Sequence, residues 1–95
     1  MKFACLCCGF LTLDRQPPGS WSVCPVCFWE DDYAQGLDTG LAGGANELSL
    51  DDARRNFAAT GSSSPRFSAL VRLANKTEFP LRRRVQSGED EAEDE

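Results

Sequence analysis

Histidine is absent from this 95-residue chain, which excludes Ser-His-Asp and Cys-His nucleophiles together with any imidazole metal ligand. A metal site would have to be built from cysteine, aspartate or glutamate. Also missing is any run approaching the roughly 18 apolar residues that a membrane span needs. The N-terminal segment MKFACLCCGF is too short and too rich in cysteine for a signal peptide. The chain therefore reads as soluble and cytoplasmic, with no membrane partner. Its length leaves room for one small core and no second domain.

Charge is distributed unevenly. Fifteen acids against ten bases give a net charge of -5, but six of the acids lie in the last seven residues, Glu89 to Glu95. The remainder carries 15 - 6 = 9 acids against the same ten bases, a net of +1. An acidic block with nothing more apolar than Ala92 buries too little surface to offset its ordering entropy. The expected division is a single domain over residues 1–80, followed by a basic, then acidic, disordered tail over residues 81–95.

What the chain does have is five cysteines, at positions 5, 7, 8, 24 and 27. Cys5/Cys8 and Cys24/Cys27 form two C-x-x-C pairs with fifteen residues between them, the spacing of a four-thiolate metal site. Each such turn aims two sulfurs at one point, and two turns complete a tetrahedron. A disulfide framework fits neither the odd count nor a reducing compartment. Gly9 lets the chain leave the first turn, and Pro25 presets φ in the second. Phe10 to Leu13 and Trp21 to Val23 read as short strands joined by a turn over residues 14–20, a zinc-ribbon hairpin. Cys7, beside Cys8, is expected to be a small buried thiol outside the metal shell, the alternative being a redox-reactive thiol or a substitute ligand.

After the second knuckle come Phe28, Trp29, Glu30, Asp31, Asp32 and Tyr33, then a glycine-rich loop from Gly36 to Asn46. Two readings stand for this stretch. Some of the acids and Asn46 accept backbone N-H groups and fasten the loop. Alternatively Trp29, Glu30, Asp32 and Asn46 form a face that meets a protein partner.

Ser49 followed by Asp52 gives a capping-box-like helix start, with Leu50, Ala53, Phe57 and Ala58 at helical spacing and Gly61 as the stop. A second helix is expected from Ser64 as N-cap, with Pro65 at the first position and Phe67, Leu70, Val71 and Ala74 as its apolar stripe. Phe57, Phe67 and Leu70 are expected in the core. The predicted fold is thus a small α+β metal-binding domain: a zinc-ribbon or rubredoxin-like hairpin with two knuckles, followed by two short α-helices.

Four stretches in order resemble the small bacterial cysteine-rich CPCC proteins. They are Cys5-Leu6-Cys7-Cys8-Gly9, Cys24-Pro25-Val26-Cys27-Phe28-Trp29-Glu30-Asp31-Asp32, Gly43-Gly44-Ala45-Asn46, and Ser49-Leu50-Asp51-Asp52-Ala53-Arg54-Arg55-Asn56-Phe57. Leu6 stands where that family usually has proline. The resemblance implies a small metal-binding domain and no particular reaction.

Three functional readings follow. A closed zinc site of four thiolates stabilises a small module that binds a protein and catalyses nothing. The same thiolates could instead hold iron for electron transfer. Nucleic-acid binding through Arg54, Arg55, Arg66, Arg72, Lys76 and Arg82 to Arg84 is disfavoured by the net negative charge.

Overall fold

The computed structural model describes residues 1–80; the basic run Arg82 to Arg84 and the acidic tail lie outside them. Over those residues the chain is a small α+β fold wrapped around its cysteines. Strands β1 (Phe3–Ala4) and β2 (Leu11–Leu13) pair antiparallel, Phe3 opposite Leu13 and Ala4 opposite Leu11, with a bulge between the two pairs. They are the legs of the first knuckle.

The expected pairing of Phe10 to Leu13 with Trp21 to Val23 is not formed. Each knuckle instead has its own pair of legs. At the second, Val23 bridges Glu30, the Trp21 N-H donates to the Asp31 carbonyl at 3.0 Å, and the Asp31 N-H to the Ser22 carbonyl at 2.9 Å. A C-x-x-C turn reverses the chain so tightly that the flanking residues meet each other before they can meet a strand fifteen residues away.

Helix α1 (Tyr33–Leu37) was not expected. Asp32 caps it, accepting the Gln35 N-H on its carboxylate. Gly36 sits within it because no side chain fits: a Cβ there would lie 2.5 Å from the Pro18 Cβ. Helix α2 (Leu50–Thr60) starts and stops where its sequence signals put it. The Ser49 hydroxyl accepts the Asp52 N-H at 3.1 Å, Asp51 and Asp52 face the positive end of the dipole, and Gly61 closes the helix in the left-handed region. Its buried stripe is Leu50 and Ala53, with Phe57 half-buried and edge-on to Phe10 at 6.3 Å between ring centres.

The second predicted helix does not form. Pro65–Phe67 is a single 3₁₀ turn, the Ser64 side chain caps nothing, and Leu70 is exposed rather than in the core. Tertiary contacts override local propensity here. The Phe67 ring leaves any helical stripe to pack on Phe28 at 4.8 Å, and the Arg72 N-H donates to the Pro25 carbonyl at 3.2 Å, drawing the chain across the second knuckle as an extended strap. A second 3₁₀ turn, Lys76–Glu78, is fixed by an Asn75 capping box, after which Phe79 lands on Phe10 with 5.0 Å between ring centres. The core is built from Leu13, Val26, Trp29, Leu50, Ala53 and the five cysteines. No helix among the described residues is long and apolar enough to cross a membrane.

Candidate metal centre

The two knuckles repeat one hydrogen-bond scheme. Cys5 donates its N-H to the Phe10 carbonyl at 2.9 Å and accepts from the Gly9 N-H at 2.8 Å; Cys24 donates to the Trp29 carbonyl at 2.9 Å and accepts from the Phe28 N-H at 2.7 Å. The residue after the second cysteine of each pair must then adopt positive φ. Gly9 does so at 81° without cost, whereas Phe28 does so at 69°, where a side chain is disfavoured by about 1–2 kcal/mol. The packing of its ring on Phe67 offsets that strain. The knuckles are also clasped in the same place: the Leu6 carbonyl accepts from Arg54 Nε of α2 at 2.8 Å, and its counterpart Pro25 accepts from Arg72. Leu6 therefore keeps the geometry that proline presets in the second turn.

This scheme brings Cys5, Cys8, Cys24 and Cys27 together. Their four Sγ atoms lie within 4.8 Å of one another and all four residues are buried, so the set could hold a metal ion. Across the two knuckles, Cys5 Sγ lies 3.6 Å from Cys27 Sγ and Cys8 Sγ 3.7 Å from Cys24 Sγ. A tetrahedron with metal–sulfur bonds of about 2.3 Å has edges of about 3.8 Å, which these two cross-knuckle separations match. All five cysteines are free thiols.

The electrostatics point the same way. Cys24 is held far below the ordinary thiol range by hydrogen bonds from Cys27 foremost, then Cys5 and Cys8, with the Thr12 hydroxyl 3.0 Å from its sulfur. That anion pushes the Cys27 and Cys8 thiols up. Four thiolates in one buried place need a cation, and binding one displaces the remaining protons.

Cys7 is buried but stands outside the four-sulfur group. By the repeat it occupies the place of Val26, the third residue of the second knuckle and likewise buried. Its sulfur is hydrogen-bonded to that of Cys27, so it touches the four-sulfur group without belonging to it. Cys7→Ser is expected to retain full metal content and lose only modest stability, whereas Cys5→Ser loses the metal; inductively coupled plasma analysis of the two purified variants separates them. Equal metal loss would place Cys7 in the shell.

Of the residues expected on a partner face, Trp29 and Asp32 are in fact buried, at 1% and 6% exposure. Asn46 is spent internally. Its Oδ1 accepts the Glu30 N-H at 2.9 Å, and its Nδ2 donates to the Glu30 carbonyl at 2.7 Å and to Gln35 Oε1 at 3.0 Å. Glu30 and Asn46 are the two that remain half-exposed. The loop-fastening reading describes this region: Asp31 accepts the Ser20 N-H at 2.8 Å, and Asp32 accepts the Ala45 N-H at 2.9 Å. The residue missed by sequence reasoning is Gln35, wholly buried, whose amide contacts three loop carbonyls. Nothing in a lone glutamine before a glycine announces such a role.

Asp32 accepts two backbone N-H groups, from Ala45 and from Gln35, and these hold its carboxyl below the usual carboxylate range. A depressed folded-state value means that the stabilisation is present at neutral pH and is lost as pH falls below the unfolded carboxylate value through the folded one. Asp32→Asn can accept only one of the two. It is expected to lose about 1–3 kcal/mol in urea denaturation of the metal-loaded protein at neutral pH, with metal content intact; an unchanged midpoint would refute the assignment.

Among the described residues, the arginines expected to contact phosphate are engaged with the chain's own groups. Arg55 pairs with Asp52, Arg66 with Glu47 at 3.2 Å, Arg72 with Glu78 at 2.6 Å, and Arg54 binds the Leu6 carbonyl.

A search of curated proteins returns no significant match. A scan of family models does: the one described as Cysteine-rich CPCC matches residues 3–78, a span that takes in both knuckles, the glycine loop, α2 and the strap. The cysteines, the Glu30 to Asp32 run and the Gly43 to Asn46 loop all fall within the matched span, and the chain belongs to the cysteine-rich CPCC family.

Proposed function

We propose that this chain is a zinc-stabilised, zinc-ribbon-like binding module of the cytoplasm that works through contacts with a protein and catalyses nothing itself. The observation that carries the reading is the burial of all four sulfurs, Cys24 and Cys27 being 0% exposed. Four thiolates fill a tetrahedral shell, so no position is left for water or substrate, and a zinc held this way supplies folding energy rather than Lewis acidity. The described domain is also in the size range where an apolar core alone seldom suffices. Contact with a partner is assigned to the outer face of the second knuckle, where Val23 and Trp21 are 44% and 54% exposed beside Glu30. Exposed apolar groups on a metal-rigidified turn lose little entropy on binding.

Cobalt replacement tests the closed shell. The Co(II) protein is expected to show the intense visible absorption of a tetrahedral tetrathiolate, unaltered by added azide or cyanide. A spectrum that changes with either anion would mean an open position and would return catalysis to consideration.

A further inference from the structure

The likeness of the two knuckles is broken at one sulfur. Cys24 Sγ lies 3.0 Å from the Thr12 hydroxyl oxygen, and among the described residues no other hydroxyl reaches a sulfur of the four. Thr12 belongs to the opposite knuckle, as the middle residue of β2. Its counterpart nineteen residues on is Asp31, as Cys24 is the counterpart of Cys5. Asp31 turns its carboxylate to the Ser20 N-H instead. The knuckle scheme therefore forms at Cys5 without such a donor, and the Thr12 hydroxyl is additional to what the turn requires.

The residue type at position 12 points the same way. Between Leu11 and Leu13 of a strand, valine would have the shape of threonine and an equal strand preference. A half-buried hydroxyl there costs free energy unless it is hydrogen-bonded. A metal-bound thiolate carries no proton, so in the loaded site the hydroxyl donates and Cys24 accepts. Such a bond draws electron density from the sulfur and fixes its direction toward the ion. Groups that hydrogen-bond to metal ligands set affinity and electronic character in this way.

We infer that Thr12 is a positioning residue for the metal: its hydroxyl, donating to Cys24, holds that sulfur on the ion and sets how tightly the four-thiolate site retains it. The inference rests on the zinc-module reading and names the residue that governs metal retention. Cys24 is thereby anchored from both knuckles, through the Phe28 N-H and Trp29 carbonyl of its own turn and through β2 of the other. The Thr12 bond is also a tie between the knuckles that does not run through the ion.

The test compares the full-length parent, its metal stoichiometry measured first, with Thr12→Val, which keeps the shape and removes the hydroxyl, and with Thr12→Ser, which keeps the hydroxyl. Competition against a chromophoric chelator should show zinc held about 10–100-fold more weakly by Thr12→Val and close to the parent by Thr12→Ser. The cobalt-loaded proteins give a reading that lost packing alone does not move. The sulfur-to-cobalt charge-transfer band should shift to lower energy in Thr12→Val, where the sulfur regains electron density, and return in Thr12→Ser, while the ligand-field bands of the tetrahedron stay in place. Thr12→Val that takes no metal while Thr12→Ser loads normally is the same result at its limit. Equal zinc retention in Thr12→Val and the parent, an unmoved charge-transfer band, or Thr12→Ser behaving as Thr12→Val overturns the inference. A loaded parent in any of those cases leaves the zinc reading standing, whereas a parent without zinc fails that reading before either variant is made.

Discussion

Removing the metal with a strong chelator is expected to collapse the fold. The dispersed amide spectrum of the loaded protein should narrow to that of an unfolded or molten chain and recover on adding back one equivalent of zinc. The reason lies in how little else joins the two knuckles. Among the described residues the sheet is a single pair of strands, β1 and β2, and the core residues Leu13, Val26, Trp29, Leu50 and Ala53 pack around the sulfurs. Structural zinc in small thiolate sites is worth on the order of 10–16 kcal/mol near neutral pH, more than the usual net stability of a whole domain. Acid should act as the chelator does, because protons compete with the metal for the thiolates. Cys24→Ser and Cys27→Ser should be unfolded at any zinc concentration that leaves the parent protein folded. Retention of a dispersed spectrum after complete metal removal would disprove the dependence.

Gln35→Ala is expected to produce the largest loss among substitutions that leave the sulfurs alone, roughly 3–5 kcal/mol in urea denaturation of the loaded protein. Gln35 Nε2 lies 3.0 Å from the Leu41 carbonyl and 3.1 Å from those of Asn46 and Leu48; Gln35 Oε1 accepts from both the backbone N-H and the side chain of Asn46 at 3.0 Å. One buried amide thus does for the loop what a β-ladder does for a strand. Its removal orphans several backbone groups at once, and water admitted to the gap recovers only part of the loss. Amide hydrogen exchange should locate the damage: protection should fall at Leu41 and from Gly43 to Leu48 while the knuckle amides keep theirs. A cost below about 1 kcal/mol would show that the loop is held by something else.

The four-cysteine cluster was legible because the spacing of two C-x-x-C pairs brings their sulfurs together almost independently of the rest of the fold. Helix α2 was legible because Ser49, Asp52 and Gly61 are local signals that nothing contradicts. The misreadings arose where distant groups decide. Phe10 to Leu13 is strand-like wherever it pairs, and only the closure of the first knuckle on Phe3 and Ala4 chooses its partner. Helix α1 is five residues long with a glycine near its end, too short for periodicity to register, and its cap was read instead as one member of an acidic run. The stripe from Phe67 to Ala74 has helical spacing, but Phe28 and the Pro25 carbonyl capture its members separately. Trp29 and Asp32 resembled a recognition face by composition. Their burial follows from the glycine loop folding back over them, with Gly44 so close that a Cβ there would lie 2.8 Å from Asp32 Oδ2.

Native mass spectrometry of the freshly purified full-length protein tests the central claim most directly, because it reads metal identity, stoichiometry and thiol state in one measurement. The account predicts a chain carrying one zinc ion, with the thiol protons of Cys5, Cys8, Cys24 and Cys27 displaced and Cys7 still a free thiol. A metal-free chain with those cysteines reduced, or a chain whose cysteines have joined as disulfides, would contradict it, and iron in place of zinc would replace the structural reading with electron transfer.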